Sequence, residues 1–198
     1  MSKGRLEAFS DGVIAIIITI MVLELKVPHG GGFEALKPVV STLLMYLLSF
    51  IYVGIYWNNH HHMLHAVERV DGRVMWANLL CLFWLSLFPF TTAWLNEAEP
   101  VPAPLPTAVY GFVLLMEALS WIPLQRLLIA VNGGRNGKLA RAIGGPWGGW
   151  KEMVSPIIYL SAIALAFFVP IVSCALYALV AALWFIPDRR IESKVLAK

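Results

Sequence analysis

The chain is 198 residues long, with 59% of its residues hydrophobic, only 14% charged, and a formal net charge of +3. A soluble domain of this size could not bury so much apolar surface in one core, so the composition excludes an ordinary water-soluble fold and predicts an integral membrane protein. The small positive charge follows from membrane topology, as argued below, and does not indicate a nucleic-acid partner.

The first apolar segment, residues 12–23, has a carboxylate at each end, Asp11 and Glu24. On a helix these two residues lie about 20 Å apart, whereas the hydrocarbon core of a bilayer is about 30 Å thick. At least one carboxylate must then lie near membrane depth, where a charged group faces protein or water rather than lipid. The spacing predicts that this helix lies inside an assembly. Local thinning of the bilayer, with both carboxylates at the interfaces, is an alternative that the sequence leaves open.

One stripe of this first helix combines Ile16, Ile20 and Leu23, at positions i, i+4 and i+7, with Thr19 beside it. Ile17 lies off the stripe and is expected to face lipid. Any buried helix carries such stripes, so ordinary core packing is the simpler explanation when the pattern is taken alone.

Four further stretches are long and apolar enough to supply membrane helices. Residues 38–58 and 74–96 carry no charge, and residues 100–125 carry only Glu117. The uncharged stretch 153–187 has Pro170 in its middle, where proline interrupts a helix, so we predict two short helices there. The result is an all-α membrane protein with one domain of six transmembrane helices over residues 1–198. The approximate spans are 5–26, 35–62, 72–96, 102–129, 151–169 and 171–187.

Lysine and arginine residues provide an independent test of this topology, because they prefer the cytoplasmic side of a membrane. Six spans put both termini on one side, together with all of the fifteen Lys and Arg residues except Lys26 and Lys37. Both termini are therefore predicted to be cytoplasmic. Cys81 and Cys174 fall inside predicted spans, where packing is a better explanation than a disulfide or a metal pair.

Short motifs at the ends of the first three predicted helices carry a family resemblance. They are the Arg-x-x-x-Phe-Ser-Asp signature formed by Arg5, Phe9, Ser10 and Asp11, then Ser49-Phe50, Trp57-x-x-His60-His61, Asn78 and Pro89-Phe90. Over residues 1–95 the chain resembles bacterial members of the transmembrane protein 175 family of potassium channels. The later helices resemble that family only in number and hydrophobicity.

The resemblance implies a potassium-permeable cation channel in the inner (plasma) membrane of a bacterium. Such a protein is not an enzyme, has no cofactor or metal site, and has the bilayer, its own copies and monovalent cations as partners. Family members with one signature per chain are homotetramers, so four first helices should surround a central pore. The family lacks a re-entrant pore loop, and the sequence agrees, since it contains no Thr-Val-Gly-Tyr-Gly filter.

The same resemblance implies roles for the stripe on the first helix. Ile16, five residues after the signature Asp11, corresponds to the tightest constriction and would act as a hydrophobic gate and filter. Thr19 corresponds to a pore-facing threonine that governs selectivity, and Ile20 and Leu23 continue the pore lining outward. A ring of four Ile16 side chains could block ions by dewetting.

The polar residues of the signature are expected to be structural rather than conductive, because buried polar groups in a membrane must be satisfied. Direct ion binding, or a cation-attracting charge of Asp11 at the cytoplasmic mouth, is the alternative. The expected members of the supporting network are Arg5, Ser10, Asp11, His60 or His61, Trp76 and Asn78.

Two other functions are left open by the sequence. A membrane metalloenzyme could use His60, His61, His62 and His65, although no His-Glu-x-x-His pair is present. A proton-coupled or ion-coupled secondary transporter could use Asp11, Glu24 and Glu117, with Pro89 and Pro123 as the only hints of broken helices. Discrete unitary currents would indicate a channel, and saturable, gradient-coupled uptake would indicate a transporter.

Overall fold

The computed structural model describes residues 2–143 and 149–185, and over these residues the chain is helical, with no strand. The all-α fold class is confirmed for this part of the chain. The helices are α1 (Lys3–Leu23), α2 (Lys37–His65), α3 (Gly72–Ser86), α4 (Phe88–Glu97), α5 (Pro104–Val131), α6 (Lys138–Ile143), α7 (Trp150–Leu165) and α8 (Pro170–Phe185), with single 3-10 turns at Phe33–Leu36 and Gly134–Asn136.

Four helical segments in the described residues are long and apolar enough to cross a membrane: Lys3–Leu23, Val39–His65, Gly72–Glu97 and Pro104–Val131. Helices α7 and α8 have 16 residues each, which is about 24 Å of helix and less than the bilayer core of about 30 Å. They pack against each other as a hairpin, with Pro170 at the start of the second helix. Four crossings are therefore supported by length, and six crossings stay a prediction.

The third span, expected from the sequence over residues 72–96 with Pro89 as a hint of a break, is not one continuous helix. Helix α3 ends at Ser86, Leu87 forms a turn, and α4 begins at Phe88 with Pro89 in its first turn. Proline lacks the N–H that a continuing helix would need and clashes with the carbonyl four residues earlier. The proline therefore divides the span, whereas Pro123 is accommodated within α5.

Helix α5 forms the centre of the packing and contacts α3, α4, α7 and α8, while α1 lies at one side against α2, α3 and α4. The close approach of α8 to α5 requires a glycine, because a Cβ atom at Gly111 would overlap the hydroxyl of Tyr177. That hydroxyl donates a hydrogen bond of 3.1 Å to the carbonyl of Thr107 on α5. The hairpin of α7 and α8 is thus fixed to the central helix.

Two apolar clusters form the interior, and α1 contributes to both. Leu6 belongs to one cluster, and Ile14, Ile17 and Met21 belong to the other. Between them along α1 lies Ser10, a fully buried hydroxyl residue. The helix therefore carries a buried polar position between two apolar regions, and this position organises the candidate site.

Candidate functional site

Helix α1 has one face packed in the protein and one face left open. Ile16, Ile20 and Leu23 are 58%, 42% and 79% exposed. Thr19 lies on the same face and is also exposed. This apolar, threonine-containing surface, called the open stripe below, is not covered by any described part of the chain. The spacing seen in the sequence therefore corresponds to one continuous surface.

Ile17 does not face lipid, contrary to the expectation from the sequence. Its side chain is only 3% exposed and belongs to the apolar core together with Ile14 and Met21. The helix turns these residues toward α2, α3 and α4, since i, i+3 and i+4 neighbours share a face. In the described part of the chain, the opposite side of α1 is the one left accessible to lipid or to a pore.

The hydroxyl of Thr19 donates a hydrogen bond of 2.9 Å to the carbonyl of Ile16 within α1. The hydroxyl hydrogen of Thr19 is therefore engaged within α1, while the hydroxyl oxygen keeps lone pairs that can accept from another group. Gly12 and Ala15, which precede this turn, are exposed as well and have little or no side chain. The open stripe can therefore approach another surface closely and offer it one oxygen per helix.

Ser10, Asn78 and His60 form a buried hydrogen-bond chain that joins α1, α3 and α2. The Nδ2 of Asn78 donates to Ser10 Oγ at 2.9 Å, and Oδ1 of Asn78 lies 2.7 Å from Nε2 of His60. Ser10 Oγ donates in turn to the carbonyl of Leu6 at 2.9 Å. All three side chains are buried, so each bond forms in a low dielectric and breaking one leaves a costly unpaired group.

A second, more exposed set of contacts joins α1 to α2. Trp57 donates from Nε1 to Asp11 Oδ1 at 3.0 Å, and Nδ1 of His61 lies 3.5 Å from Glu7 Oε1. The rings of Trp57 and His61 stack with their centroids 6.2 Å apart. Asp11 is thus held by an indole rather than by the buried network. Glu7 was not anticipated, although its place one turn before Asp11 could have suggested it.

The structure does not bring every expected residue to the network. Trp76 is 73% exposed, and neither its indole nor the side chain of Arg5 forms a hydrogen bond or an ion pair with the described residues. Phe9, the residue before Ser10 on α1, is also exposed. Within one chain the network therefore consists of Ser10, Asn78 and His60, with Asp11 and His61 in the separate α1–α2 contacts.

Sequence reasoning missed a second polar cluster, which joins α2, α4 and α5. Ser49 lies 2.7 Å from Thr92 Oγ1 and 3.0 Å from the hydroxyl of Tyr110, and so links α2 to α4 and α5. The Ser49-Phe50 motif in the sequence could have indicated Ser49 as one member of this cluster.

Glu117 is fully buried in α5, where Ser120 donates to its carboxylate at 3.2 Å.

The segment that follows the C-terminal end of α1 is connected to α4 by an ion pair. Nζ of Lys26 lies 2.7 Å from Oε1 of Glu97, and both side chains are largely exposed. The hydrogen bond and the charge of Glu97 raise the pKa of Lys26 above its ordinary value. The contact with Glu97 therefore favours the charged, ammonium form of Lys26.

The histidines do not form a metal site in the residues described. His61 stacks on His65 with ring centroids 6.0 Å apart and meets His62 edge-on. No group of three His, Cys, Asp or Glu residues in 2–143 and 149–185 has the geometry to hold a metal ion. His60 uses its Nε2 in the buried network. This arrangement gives the metalloenzyme hypothesis no support.

Comparisons with known proteins point to one family. The sequence model of the family described as "Endosomal/lysosomal potassium channel TMEM175" matches residues 5–89. A potassium channel of Chryseobacterium sp. (strain P1-3) is 50% identical over 195 residues, which cover 98% of this chain and 98% of that protein. A potassium channel of Streptomyces collinus (strain DSM 40733 / Tue 365) is 41% identical over 125 residues, covering 60% of this chain and 61% of that one.

A solved structure is similar over nearly the whole chain. The crystal structure of a lysosomal potassium-selective channel TMEM175 homolog from Chamaesiphon minutus matches with a TM-score of 0.72 and 30% sequence identity, covering 92% of this chain and 95% of that chain. The segment matched by the family model, residues 5–89, contains the open stripe of α1 and all members of the buried chain of Ser10, Asn78 and His60.

Proposed function

The chain belongs to the TMEM175 family, and from this membership we propose that it is a potassium-permeable cation channel whose hydrophobic gate lies on helix α1. The family and the relatives compared above are channels, so the chain is not an enzyme. Potassium is proposed as the permeant species, without any cofactor.

The observation that carries this proposal is the division of α1 into a packed face and an open stripe. Ile17 and its neighbours bury one side of the helix, while Ile16 and Leu23 remain uncovered on the other. Thr19 places a hydroxyl on that uncovered side. A polar side chain in a membrane helix ordinarily faces protein or water, so we assign this side to a water-filled pore rather than to lipid.

A single α1 cannot enclose a pore, so the proposal requires several copies of the chain. We propose a homotetramer with four α1 helices innermost, and one six-helix domain per chain over residues 1–198 with both termini cytoplasmic. The excess of Lys and Arg on one side of the predicted topology supports this orientation. The proposed location is the inner (plasma) membrane of a bacterium.

In this assembly four Ile16 side chains form the constriction. A ring of isoleucines offers potassium no oxygen ligand, so an ion passes only when the ring is wide enough to keep much of its water shell. A narrowed ring dries and closes. Thr19, one turn further along, supplies the nearest side-chain oxygens and is proposed to influence the choice of ion, while Ile20 and Leu23 line the outer part of the pore.

The buried network is proposed to hold α1 in place during opening. Ser10 is fixed to Asn78, and Asn78 is fixed to His60, so the N-terminal part of α1 is fastened to α2 and α3 without using any residue of the open stripe. Trp57 holds Asp11 in the same region. We therefore assign Ser10 and Asp11 of the signature to support, and not to ion binding.

The test of the channel assignment is a planar-bilayer recording of the purified protein with potassium on one side and sodium on the other. Discrete unitary openings with a reversal potential displaced toward the potassium equilibrium potential are expected. Saturable uptake without unitary events would instead identify an ion-coupled transporter, for which Glu117 and the broken third span are the candidate features.

The test of the assembly is the mass of the conducting particle. Native mass spectrometry of the same preparation, released from lipid nanodiscs, should give four copies of the 22.0 kDa chain. A mass of one or two copies in a preparation that conducts would contradict the tetramer and leave the channel assignment intact.

A further inference from the structure

A basic cavity of about 350 Å³ lies among the connections between helices, near the end of α2 and the end of α5. Arg69 approaches it from the α2–α3 connection, and Lys138 and Arg141 approach it from α6. Glu68 is the only acidic residue in its lining among the residues that the structure describes. The cavity is therefore polar, open to solvent and predominantly positive.

The floor of this cavity is fixed by main-chain contacts. The side chain of Asn132 accepts hydrogen bonds from the backbone N–H groups of Glu68 and Arg69, each 2.9 Å long, and donates to the carbonyls of Arg69 and Leu128 at 3.0 and 2.9 Å. Gly137 lies so close to the carbonyl of Asn132 that a Cβ atom there would overlap it. The positions of the connections are thus set before any ligand arrives.

The charges of two lining residues are not neutralised within the described part of the chain. Arg69 and Lys138 are exposed and form no ion pair with any residue described. The neighbouring Arg73 differs, because its guanidinium lies 2.9 Å from Asp71 Oδ2. Cationic side chains at a cavity of this size suit a phosphate group, to which arginine donates two parallel hydrogen bonds and lysine contributes a point charge.

We propose that this cavity binds the phosphate of an anionic phospholipid headgroup from the cytoplasmic leaflet. The inference rests on the orientation proposed above, in which the ends of α2 at His65 and of α5 at Val131 lie on the cytoplasmic side. Both helices are long and apolar enough to cross a membrane, and in that orientation a cavity just beyond their ends lies at headgroup level. Basic pockets in that position attract anionic lipids. A free phosphate ion offers the same chemistry, and the experiment separates the two.

The experiment uses the full-length protein in nanodiscs of phosphatidylcholine with an increasing fraction of phosphatidylglycerol, and counts retained phosphatidylglycerol by native mass spectrometry. Arg69→Gln and Lys138→Gln should each lower the apparent affinity about fivefold, as expected for loss of one surface charge. Arg135→Gln is the matched control, because Arg135 is exposed in the adjacent 3-10 turn but does not line the cavity.

Three results would overturn the proposal. They are equal retention of phosphatidylglycerol in all variants, an equal loss in the Arg135→Gln control, and displacement of the lipid by millimolar inorganic phosphate, which would assign the cavity to the free ion. Since the two test substitutions are on the surface and independent, one suffices if the other fails to yield folded protein. Lipid retention is measured without current, so a failure here is distinguishable from a failure of the channel assignment.

Discussion

Asn78 and His60 are joined by a buried hydrogen bond of 2.7 Å between the amide Oδ1 and the ring Nε2. Because Nδ2 of Asn78 already donates to Ser10, its Oδ1 must accept, and the neutral ring of His60 must carry its proton on Nε2. The Nδ1 of His60 then carries a lone pair that no described residue satisfies. The chain of bonds therefore has one direction, from His60 through Asn78 and Ser10 to the carbonyl of Leu6.

Asn78→Ala should destabilise the folded protein by about 1–3 kcal/mol, since it leaves Ser10 and His60 buried without their partner. Unfolding followed by tryptophan fluorescence in detergent would measure the change. Leu79→Ala is the control, because Leu79 is the next residue on α3 and is partly exposed. An equal loss of stability in both variants would contradict the role given to the network. Addition of a metal chelator should alter neither variant.

Ile16→Asn should raise the basal potassium current and loosen selectivity, because a polar side chain at the constriction keeps the ring hydrated. The currents are compared at equal amounts of protein in the membrane. Ile157→Asn is the matched control, since Ile157 is similarly exposed but lies on α7. Unchanged conductance, open probability and ion preference in Ile16→Asn would refute the gate assignment.

Ile17→Asn separates the gate from the core on the same helix. Ile17 is buried against the apolar cluster, and an unpaired amide there costs about 1–3 kcal/mol in addition to the lost packing. The expected result is a reduced yield of folded protein, measured by size-exclusion chromatography, with no rise in current per folded channel. A conducting, hyperactive Ile17→Asn would mean that the assignment of the two faces of α1 is wrong.

Thr19→Val should shift the potassium-to-sodium permeability ratio while leaving the opening of the gate largely unchanged. Valine has nearly the shape of threonine but lacks the oxygen that we propose to face passing ions. Reversal potentials under asymmetric potassium and sodium give the ratio, and Thr19→Ser, which keeps the hydroxyl, should stay close to the wild type. If Thr19→Val kept the wild-type permeability ratio and Thr19→Ser changed it, side-chain size rather than the hydroxyl would set the ratio, and this role would be wrong.

Asn132→Ala should expose the backbone amides of Glu68 and Arg69 to hydrogen exchange, because both donate to Asn132 Oδ1. Asn132→Asp keeps that acceptor and should preserve their protection, although it loses the two bonds donated to carbonyls. Asn136→Ala, an exposed change in the nearby turn, serves as the control. Exchange at these two amides that is the same in all three variants would show that the side chain does not fix the connection.

The sequence predicted the helical class and the composition of the open stripe, because helical periodicity depends on chain geometry alone. It could not show which face of α1 is packed. Ile17 was expected at the lipid surface, yet it lies in the core, since the decision depends on where α3 and α4 lie, and that is a tertiary property. The spacing of Ile16, Ile20 and Leu23 contains no such information.

The polar network was predicted in part, for a similar reason. Ser10, Asn78 and His60 are short polar residues in apolar helices, and such residues need partners. Trp76 lies two positions before Asn78, and a shift of two positions turns a side chain by about 200° around a helix, so Trp76 and Asn78 face different sides of α3. Asn132 gave no sequence signal, because its partners are backbone groups far away in the chain.

The hydrogen bonds of Asn132 all end on main-chain atoms of residues 68, 69 and 128. Replacing the side chains of Glu68 or Arg69 therefore leaves these hydrogen bonds intact. To form all four bonds, the side chain at position 132 must have both donors and acceptors within hydrogen-bond distance of those main-chain atoms. Related chains are free to diverge in the charge of this surface while the geometry of the connection is inherited unchanged. The lipid preference of this cavity can therefore change in evolution while the geometry of the connections around Asn132 stays the same.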